Sequence, residues 1–336
     1  MAAAAGLPTG AGASRLVSGN LASHEALEGR LAAWTGHEAA LLFSSGYAAN
    51  AGLFGALLEE GDVVFSDALN HASIIDGIRL GRARRHIYPH SDPVALEALL
   101  AAHRGDGLAV IVTESVFSMD GDVAPLAALA ALAERYEALL VVDEAHALGL
   151  YGGRGAGVLD ALGLSAQAGA VVGTFGKSLG GAGAFVAGSS LLRELLVNRA
   201  RSFVFSTALS PLAVAAVEVA LPVVEAGERT AAAWRAAGWM AAALQARGWW
   251  QGPAQSLIFP IVVGAPERAV ALCAALRERG YFVQAIRPPT VPVDTSRLRV
   301  TVDATMTEEM VSGFAEALDA SARSLGIERR VGSHVG

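Results

Sequence analysis

The sequence predicts an α/β protein: a large domain built on a mostly parallel sheet with helices on both faces, plus a smaller C-terminal α/β domain. Three observations carry that prediction. Short apolar runs alternate with Ala/Leu-rich helical segments, the order that parallel strands and their crossovers require. Hydrophobic residues make up 53% of the 336 residues and charged residues 17%, so the chain can bury a sizeable core and is not disordered. The alternation pauses at a long Ala-rich stretch and then restarts on a smaller scale.

Residues 1–20 show no apolar periodicity and read as an irregular N-terminal segment. The large domain is assigned to residues 21–225. Its strands are expected at Ala40–Phe43, Val63–Ser66, Arg85–Tyr88, Ala109–Thr113, Leu139–Asp143, Ala170–Thr174 and Ala184–Ala187. Between them, Pro93–Ala102 reads as a helix capped by Asp92, and Leu126–Ala138 as another. Tyr151–Gly157, YGGRGAG, is a glycine-rich loop. From Pro211 to about Arg247 the chain is helical, with an interruption expected near Pro222, and it forms a linking helix that reaches about residue 245. In the small domain, 246–330, strands Leu257–Val263, Phe282–Ile286 and Leu298–Val302 frame helices Glu267–Arg279 and Thr307–Leu325.

Composition excludes several classes. A mean hydropathy of +0.43 obliges a search for a membrane span. The uncharged run Ala39–Leu58 is long enough to cross a bilayer, but Ser44-Ser45-Gly46 and Asn50 divide it into strand, turn and helix. The start carries no basic n-region and no sustained apolar run of the kind that marks a secretory signal. One cysteine, Cys273, excludes an internal disulfide framework and a Cys-based zinc site, so a cytoplasmic setting is expected, with no metal centre and no membrane partner. A net charge of −7 argues against nucleic acid as a partner. The basic cluster Arg79, Arg82, Arg84 and Arg85 reads as a solvated helix end and strand start.

The chemistry is expected at the strand ends, because open α/β sheets bind ligands beyond the carboxyl ends of their strands. Asp143 ends the run LLVVD and begins DEAH. A buried carboxylate there needs a cation or donors; helix capping and Mg²⁺ binding are the alternatives, and the helicase-like reading lacks a phosphate-binding loop upstream. Lys177 sits in GTFGKSLGG after another strand. A lone lysine is usually a surface residue, whereas one in an apolar, Gly-flanked turn is a candidate Schiff-base amine. LLFSSGYAAN runs from strand to helix through small residues, and free N–H groups at such a helix start bind phosphate, a signal that is weak alone. His71 in DALNHAS follows a further strand; an isolated histidine is more often structural. Together the four supply a phosphate cradle, an amine for an aldehyde, a carboxylate for a ring nitrogen and a flat imidazole. Pyridoxal 5′-phosphate (PLP) fits that list, with Lys177 as its covalent Schiff-base anchor and Asp143 against its pyridine nitrogen.

The strings SRLVSGN, LLFSSGYAAN, DALNHASIIDGIRL, TESVFSMDGDVAPL, VVDEAHALGLYGGRGAG, GTFGKSLGGAGAF, FSTALSP and AIRPPTVPVDTSRLRVT run from about residue 10 to 325. In that order they resemble the α-oxoamine synthases, fold-type I PLP-dependent transferases, and IRPPTVP points to the oxononanoate branch. The resemblance implies that Lys177 carries the cofactor and moves protons, that Asp143 pairs with the pyridine nitrogen and His146 with the phenolic oxygen, and that His71 stacks on the ring. It implies further cofactor contacts from Gly46, Tyr47, Ser118 and Thr174, with Ser206 and Thr207 reaching the phosphate of a neighbouring subunit in a homodimer. On the substrate side it implies Thr290, Arg299 for a carboxylate, Arg287 as the competing anchor, and Glu114 without an assigned step.

The implied reaction is decarboxylative condensation of L-alanine with a pimeloyl thioester, carried on coenzyme A or on an acyl-carrier protein, in biotin biosynthesis. Glycine C-acetyltransferase and the aminolevulinate and sphingoid synthases are the alternatives within the resemblance, since alanine and glycine differ by one methyl, typically ~1–3 kcal/mol of discrimination. A catalytically silent partner subunit is the alternative from another class, and the presence of Lys177, Asp143 and His71 weighs against it. Members of this family carry several dozen residues before the segment that begins here near Gly10. On that comparison the chain is expected to bind PLP but to condense poorly, the upstream layer being part of the acyl entrance.

Overall fold

The computed structural model describes residue 6 and residues 8–330, so residues 1–5 and 7 of the irregular N-terminal segment lie outside the described part. Along the chain come α1 (Ala22–Thr35), β1 (Ala39–Phe43), α2 (Gly46–Leu57), β2 (Val63–Asp67), α3 (Ala72–Leu80), β3 (Arg84–Tyr88), α4 (Pro93–His103) and β4 (Ala109–Glu114). Next are α5 (Leu126–Arg135), β5 (Leu139–Asp143), α6 (Val158–Ala161), β6 (Ala168–Thr174), β7 (Ala184–Gly188), α7 (Ser190–Arg199), α8 (Arg201–Val204) and α9 (Pro211–Glu225). Last are α10 (Glu228–Gln245), β8 (Ile258–Gly264), α11 (Pro266–Glu278), β9 (Gln284–Ile286), β10 (Ser296–Thr301) and α12 (Glu308–Ser324). Ala39–Leu58 is strand, turn and helix, and no helix among the described residues is long and apolar enough to cross a membrane.

The chain divides into two compact units, residues up to Val116 with Ala124–Gly227, and Phe117–Val123 with the residues from Glu228 on. The first holds a seven-stranded sheet in the order β1-β7-β6-β5-β4-β2-β3. Five strands, β3 to β6 and β2, run parallel, while β7 pairs antiparallel with both β6 and β1. Period-two alternation sends the side chains of each strand to opposite faces. Leu41, Phe43, Val110, Val112, Val172 and Val186 pack with α2, α3, α7 and α8, whereas Leu42, Phe185 and Ala187 pack with α1 and α9. Each fully buried Leu or Phe contributes about 1.5–3 kcal/mol, so both faces are needed to hold the sheet. Edge strand β3 begins with exposed Arg84 and Arg85, charges that discourage a further strand from pairing there.

The long helical stretch breaks at a different place from the one expected. Helix α9 continues through Pro222 to Glu225, and the break falls at Gly227, whose φ is 76°. Pro222 has no N–H for the Glu218 carbonyl four residues back; the Arg30 guanidinium donates to that carbonyl at 3.2 Å instead and also meets Glu225. With the orphaned acceptor satisfied, proline no longer ends the helix.

In the second unit, β8, β10 and β9 form a three-stranded antiparallel sheet. The strand expected at Phe282 starts only at Gln284, and Phe282 is exposed. Helix α10 belongs to this unit because Ala236, Ala237, Met240, Ala241 and Leu244 face the same core as Phe259, Leu272 and Leu318. The segment Phe117–Val123 joins it through β10: Arg297 pairs with Asp120, and Arg299 Nε donates to the Ser118 carbonyl at 2.6 Å.

Candidate active site

Strand register sets the site. Glu114 at the end of β4 pairs with Asp143 at the end of β5, and Asp143 pairs with Val172 of β6, two residues before Thr174. The carboxyl ends of three parallel strands thus bring two carboxylates and a threonine to one edge. Beyond β6 the chain turns through Phe175 and Gly176 to Lys177. A Cβ at Gly173 would run into Phe185 and Leu148, so only glycine lets β6 lie this close to its neighbours.

A cavity of about 280 Å³ opens at this edge. It is lined by Gly46, Tyr47, Asn50, His71, Ser73, Glu114, Asp143, Ala145, His146, Val172, Gly173, Thr174, Gly176 and Lys177. Eight of the sequence candidates therefore meet in one place. Gly46 and Tyr47 open α2, whose cap is Ser45, with Oγ accepting from Ala48 N. His71 caps α3, its Nδ1 accepting from Ser73 N at 3.2 Å, so a neutral ring carries its proton on Nε2. Asp143 is buried and receives one donor at each oxygen, Ala145 N at Oδ1 and Asn50 Nδ2 at Oδ2, both at 2.9 Å. Lys177 is exposed and lines the cavity.

The other candidates lie elsewhere. Ser206 and Thr207 line a separate small cleft with Arg15 and Ser44. Ser118, Arg287, Thr290 and Arg299 belong to the second unit. There Arg287 and Thr290 share the turn after β9, Thr290 N donating to the Arg287 carbonyl at 3.1 Å. Arg287 is exposed, whereas Arg299 is half-buried and its guanidinium pKa is lowered by desolvation.

Asn50 and Ser73 received no role from the sequence. Both are buried against the cavity, and the available signal was a polar residue on an otherwise apolar face of α2. Lys177 also had a stronger mark than its glycine flanks: it is the only lysine in the sequence, every other basic chain being arginine or histidine.

Next to Asp143, Glu144 points the other way, into the core. It accepts from Ser115 Oγ at 2.6 Å, Val158 N at 3.1 Å and Leu159 N at 2.8 Å, and so ties the glycine-rich loop to the sheet. A Cβ on Gly157, where φ is 113°, would sit 2.8 Å from its carboxyl group. Burial raises the Glu144 pKa to about 7, Asp143 adds to the rise, and the three donors oppose it. The folded value exceeds the unfolded one, so the folded chain binds more protons between the two and loses stability as pH rises through that window. Glu144→Gln is expected to flatten this dependence, by on the order of 2–3 kcal/mol between pH 5 and 8, in urea midpoints. An unchanged slope in the variant would show that Glu144 does not titrate there.

The donor set suits PLP. The α2 start offers backbone N–H groups to a phosphate, Lys177 offers an amine to an aldehyde, and both Asp143 oxygens keep a lone pair beyond the hydrogen bonds they accept. Residues 1–318 match the family described as aminotransferase class I and II, and the chain belongs to that family. The 8-amino-7-oxononanoate synthase of Geobacter sulfurreducens is 51% identical over 322 residues, covering 95% of this chain and 82% of its own. A solved structure of SPT with PLP superposes at a TM-score of 0.93 with 32% identity, covering 97% of this chain and 83% of that one. An 8-amino-7-oxononanoate synthase from Francisella tularensis superposes at 0.79 with 28% identity, covering 91% and 89%. Within the family, this chain falls with the 8-amino-7-oxononanoate synthases, as the motif order and IRPPTVP led us to expect.

Proposed function

We propose that this chain condenses L-alanine with a pimeloyl thioester, releasing CO₂ and giving 8-amino-7-oxononanoate, with PLP held as a Schiff base on Lys177. The observation that carries the reading is the convergence of Lys177, Asp143, His71 and the α2 start on one cavity, in a chain 51% identical to a named synthase. Bound there, the cofactor supplies an electron sink for a carbanion at the alanine Cα.

The chain's own residues do the rest. Gly46 and Tyr47 hold the phosphate with backbone N–H groups. Asp143 would hold the pyridine nitrogen, His146 the phenolic oxygen, and His71 would flank the ring. Lys177 would hold the aldehyde carbon and is the amine placed to take and return a proton at the alanine Cα. Thr174 and Ser118 complete the cofactor contacts, and Ser206 and Thr207 serve the phosphate of a partner subunit in a homodimer. Their seat in a separate cleft supports that division of labour. Glu114 and Thr290 stand on the substrate side. A cytoplasmic setting accords with Cys273 being the sole cysteine.

Of the two arginines, Arg299 is the better anchor for the alanine carboxylate. Its Nε is fixed on the Ser118 carbonyl, which orients the guanidinium before substrate arrives, while Arg287 is exposed. Arg299→Lys is expected to weaken alanine binding ~10-fold or more with PLP affinity unchanged, since lysine cannot present paired donors. Spectral titration of the holoenzyme with alanine measures this, and an unchanged affinity moves the role to Arg287.

The test of the whole reading is turnover with alanine, serine or glycine against pimeloyl, acetyl, succinyl and palmitoyl thioesters, with pimeloyl offered on coenzyme A and on carrier protein. The alanine–pimeloyl pair should give the highest kcat/KM. A preference for glycine with acetyl or serine with palmitoyl would reassign the chain within the family.

A further inference from the structure

We propose that Asn50 and Ser73 are positioning residues that join Asp143 and His71 into one hydrogen-bonded unit. The inference rests on the reading above that these two side chains flank the cofactor ring. Asn50 is 1% exposed and Ser73 2%, and each makes its polar contacts inside the site. Asn50 Nδ2 lies 2.9 Å from Asp143 Oδ2 and 3.0 Å from Ser73 Oγ. Ser73 Oγ in turn lies 2.8 Å from His71 Nδ1.

Donor and acceptor counting fixes the direction of every bond. Turning the Asn50 amide over would set its oxygen against the Asp143 carboxylate, acceptor to acceptor, so the NH₂ faces Asp143 and spends both protons, one on the carboxylate and one on Ser73. Ser73 Oγ therefore accepts from Asn50 and has its own proton left for His71. The Ser73 backbone N–H also points at His71 Nδ1, so that nitrogen is an acceptor and cannot donate back. The unit reads, in one sense only, from Asn50 to Asp143 on one side and from Asn50 through Ser73 to His71 on the other.

Two consequences follow. The Asp143 carboxylate plane is set by Asn50 at Oδ2 and by Ala145 N at Oδ1, so its free lone pairs have a fixed aim. The Ser73 backbone N–H sets the tautomer of the His71 ring, and the Ser73 hydroxyl, whose rotation Asn50 restrains, fixes its orientation. Asn50 thus acts on His71 without touching it. Helices α2 and α3, which carry Asn50 and Ser73, pack directly on each other: a Cβ at Gly77 would sit 2.6 Å from the Asn50 carbonyl oxygen. That close approach is what brings the two side chains within hydrogen-bond reach.

The test uses ¹⁵N signals of the His71 imidazole, recorded on the full chain with and without PLP, together with PLP affinity. In the unsubstituted chain His71 should show a single neutral tautomer, protonated at Nε2. Asn50→Leu and Ser73→Ala should both move the His71 Nδ1 signal toward that of a less strongly hydrogen-bonded nitrogen, the backbone N–H of residue 73 keeping the tautomer, and Ser73→Thr, which keeps the hydroxyl, should restore it. Each loss is expected to weaken PLP binding about fivefold, the worth of one net hydrogen bond. The double variant should lose no more than Asn50→Leu alone, because the two act in series. His71 signals unmoved by Asn50→Leu, or losses that simply add, would overturn the proposal. Should Asn50→Leu fail to fold, Ser73→Ala with its threonine counterpart decides the matter through the same signals. If the chain does not bind PLP, the functional reading fails, while the His71 Nδ1 signal in the cofactor-free chain still tests the relay.

Discussion

Lys177→Ala is expected to abolish condensation, by ~10³-fold or more, because on the proposed reading it removes both the covalent anchor and the group that carries the Cα proton. Lys177 is the only lysine in the chain, so no neighbouring side chain supplies a second primary amine. Arginine at the same position would keep the charge but not the chemistry, since a guanidinium stays protonated and forms no imine under these conditions. The cofactor should still enter the variant, held by the α2 start, Asp143 and His71, which line the same cavity. Borohydride treatment followed by peptide mass analysis should fix PLP to the peptide containing Lys177 in the unsubstituted chain and to no side chain in Lys177→Ala. Label at the α-amino group, the one other primary amine, would sink the assignment.

The large sheet was legible because its strands are short apolar runs bounded by turn residues, and all seven appear where they were expected, within two residues at either end. The helical stretch from Pro211 was less legible. A proline in sequence predicts a break, and whether it makes one depends on what meets the carbonyl it orphans, here Arg30 from a helix 188 residues away. Helix α1 had no strong periodic mark: it buries His24, Glu28 and Thr35 along with Leu27 and Leu31, with His24 meeting the distant Leu209 carbonyl, Glu28 meeting Arg15 and Arg193, and Thr35 bonding back to the Leu31 carbonyl. Phe117–Val123 reads as a loop inside the first alternation, and the Arg297–Asp120 pair and the Arg299–Ser118 hydrogen bond reveal that it groups with the second unit.

The site was legible where its residues follow strands. Asp143, Glu114, Thr174 and Lys177 sit at or just past strand ends, and the register of parallel neighbours brings such positions together without further information. Asn50 and Ser73 lie inside helices, one turn and one residue past their starts, so nothing in strand order marks them. Their part is visible only as distances between atoms 23 and 93 residues apart. The Arg299 guanidinium shows the converse: the sequence could name it as an anchor, but its fixation by the Ser118 carbonyl is a fact of packing.

Asp143→Asn should keep most of the cofactor yet lose proton chemistry at Cα. Asparagine fills the same space, and its oxygen can still accept from one of the two donors that hold Asp143. Its NH₂ must then face the other, Ala145 N or Asn50 Nδ2, donor against donor, and where it faces Asn50 the variant also disturbs the arm that leads through Ser73 to His71. The larger loss is electrostatic. On the proposed placement, with no full negative charge opposite the pyridine nitrogen, the proton there would no longer be held, and a carbanion at Cα would lose its electron sink. Removing one preorganised electrostatic partner of this kind costs about 10²–10³-fold in rate. The measurement is deuterium uptake at the alanine Cα in D₂O, followed by NMR at matched PLP occupancy. The thioester is left out, so the acyl step cannot limit what is seen. Uptake should fall by that factor in Asp143→Asn, and an undiminished rate would remove Asp143 from the role assigned to it.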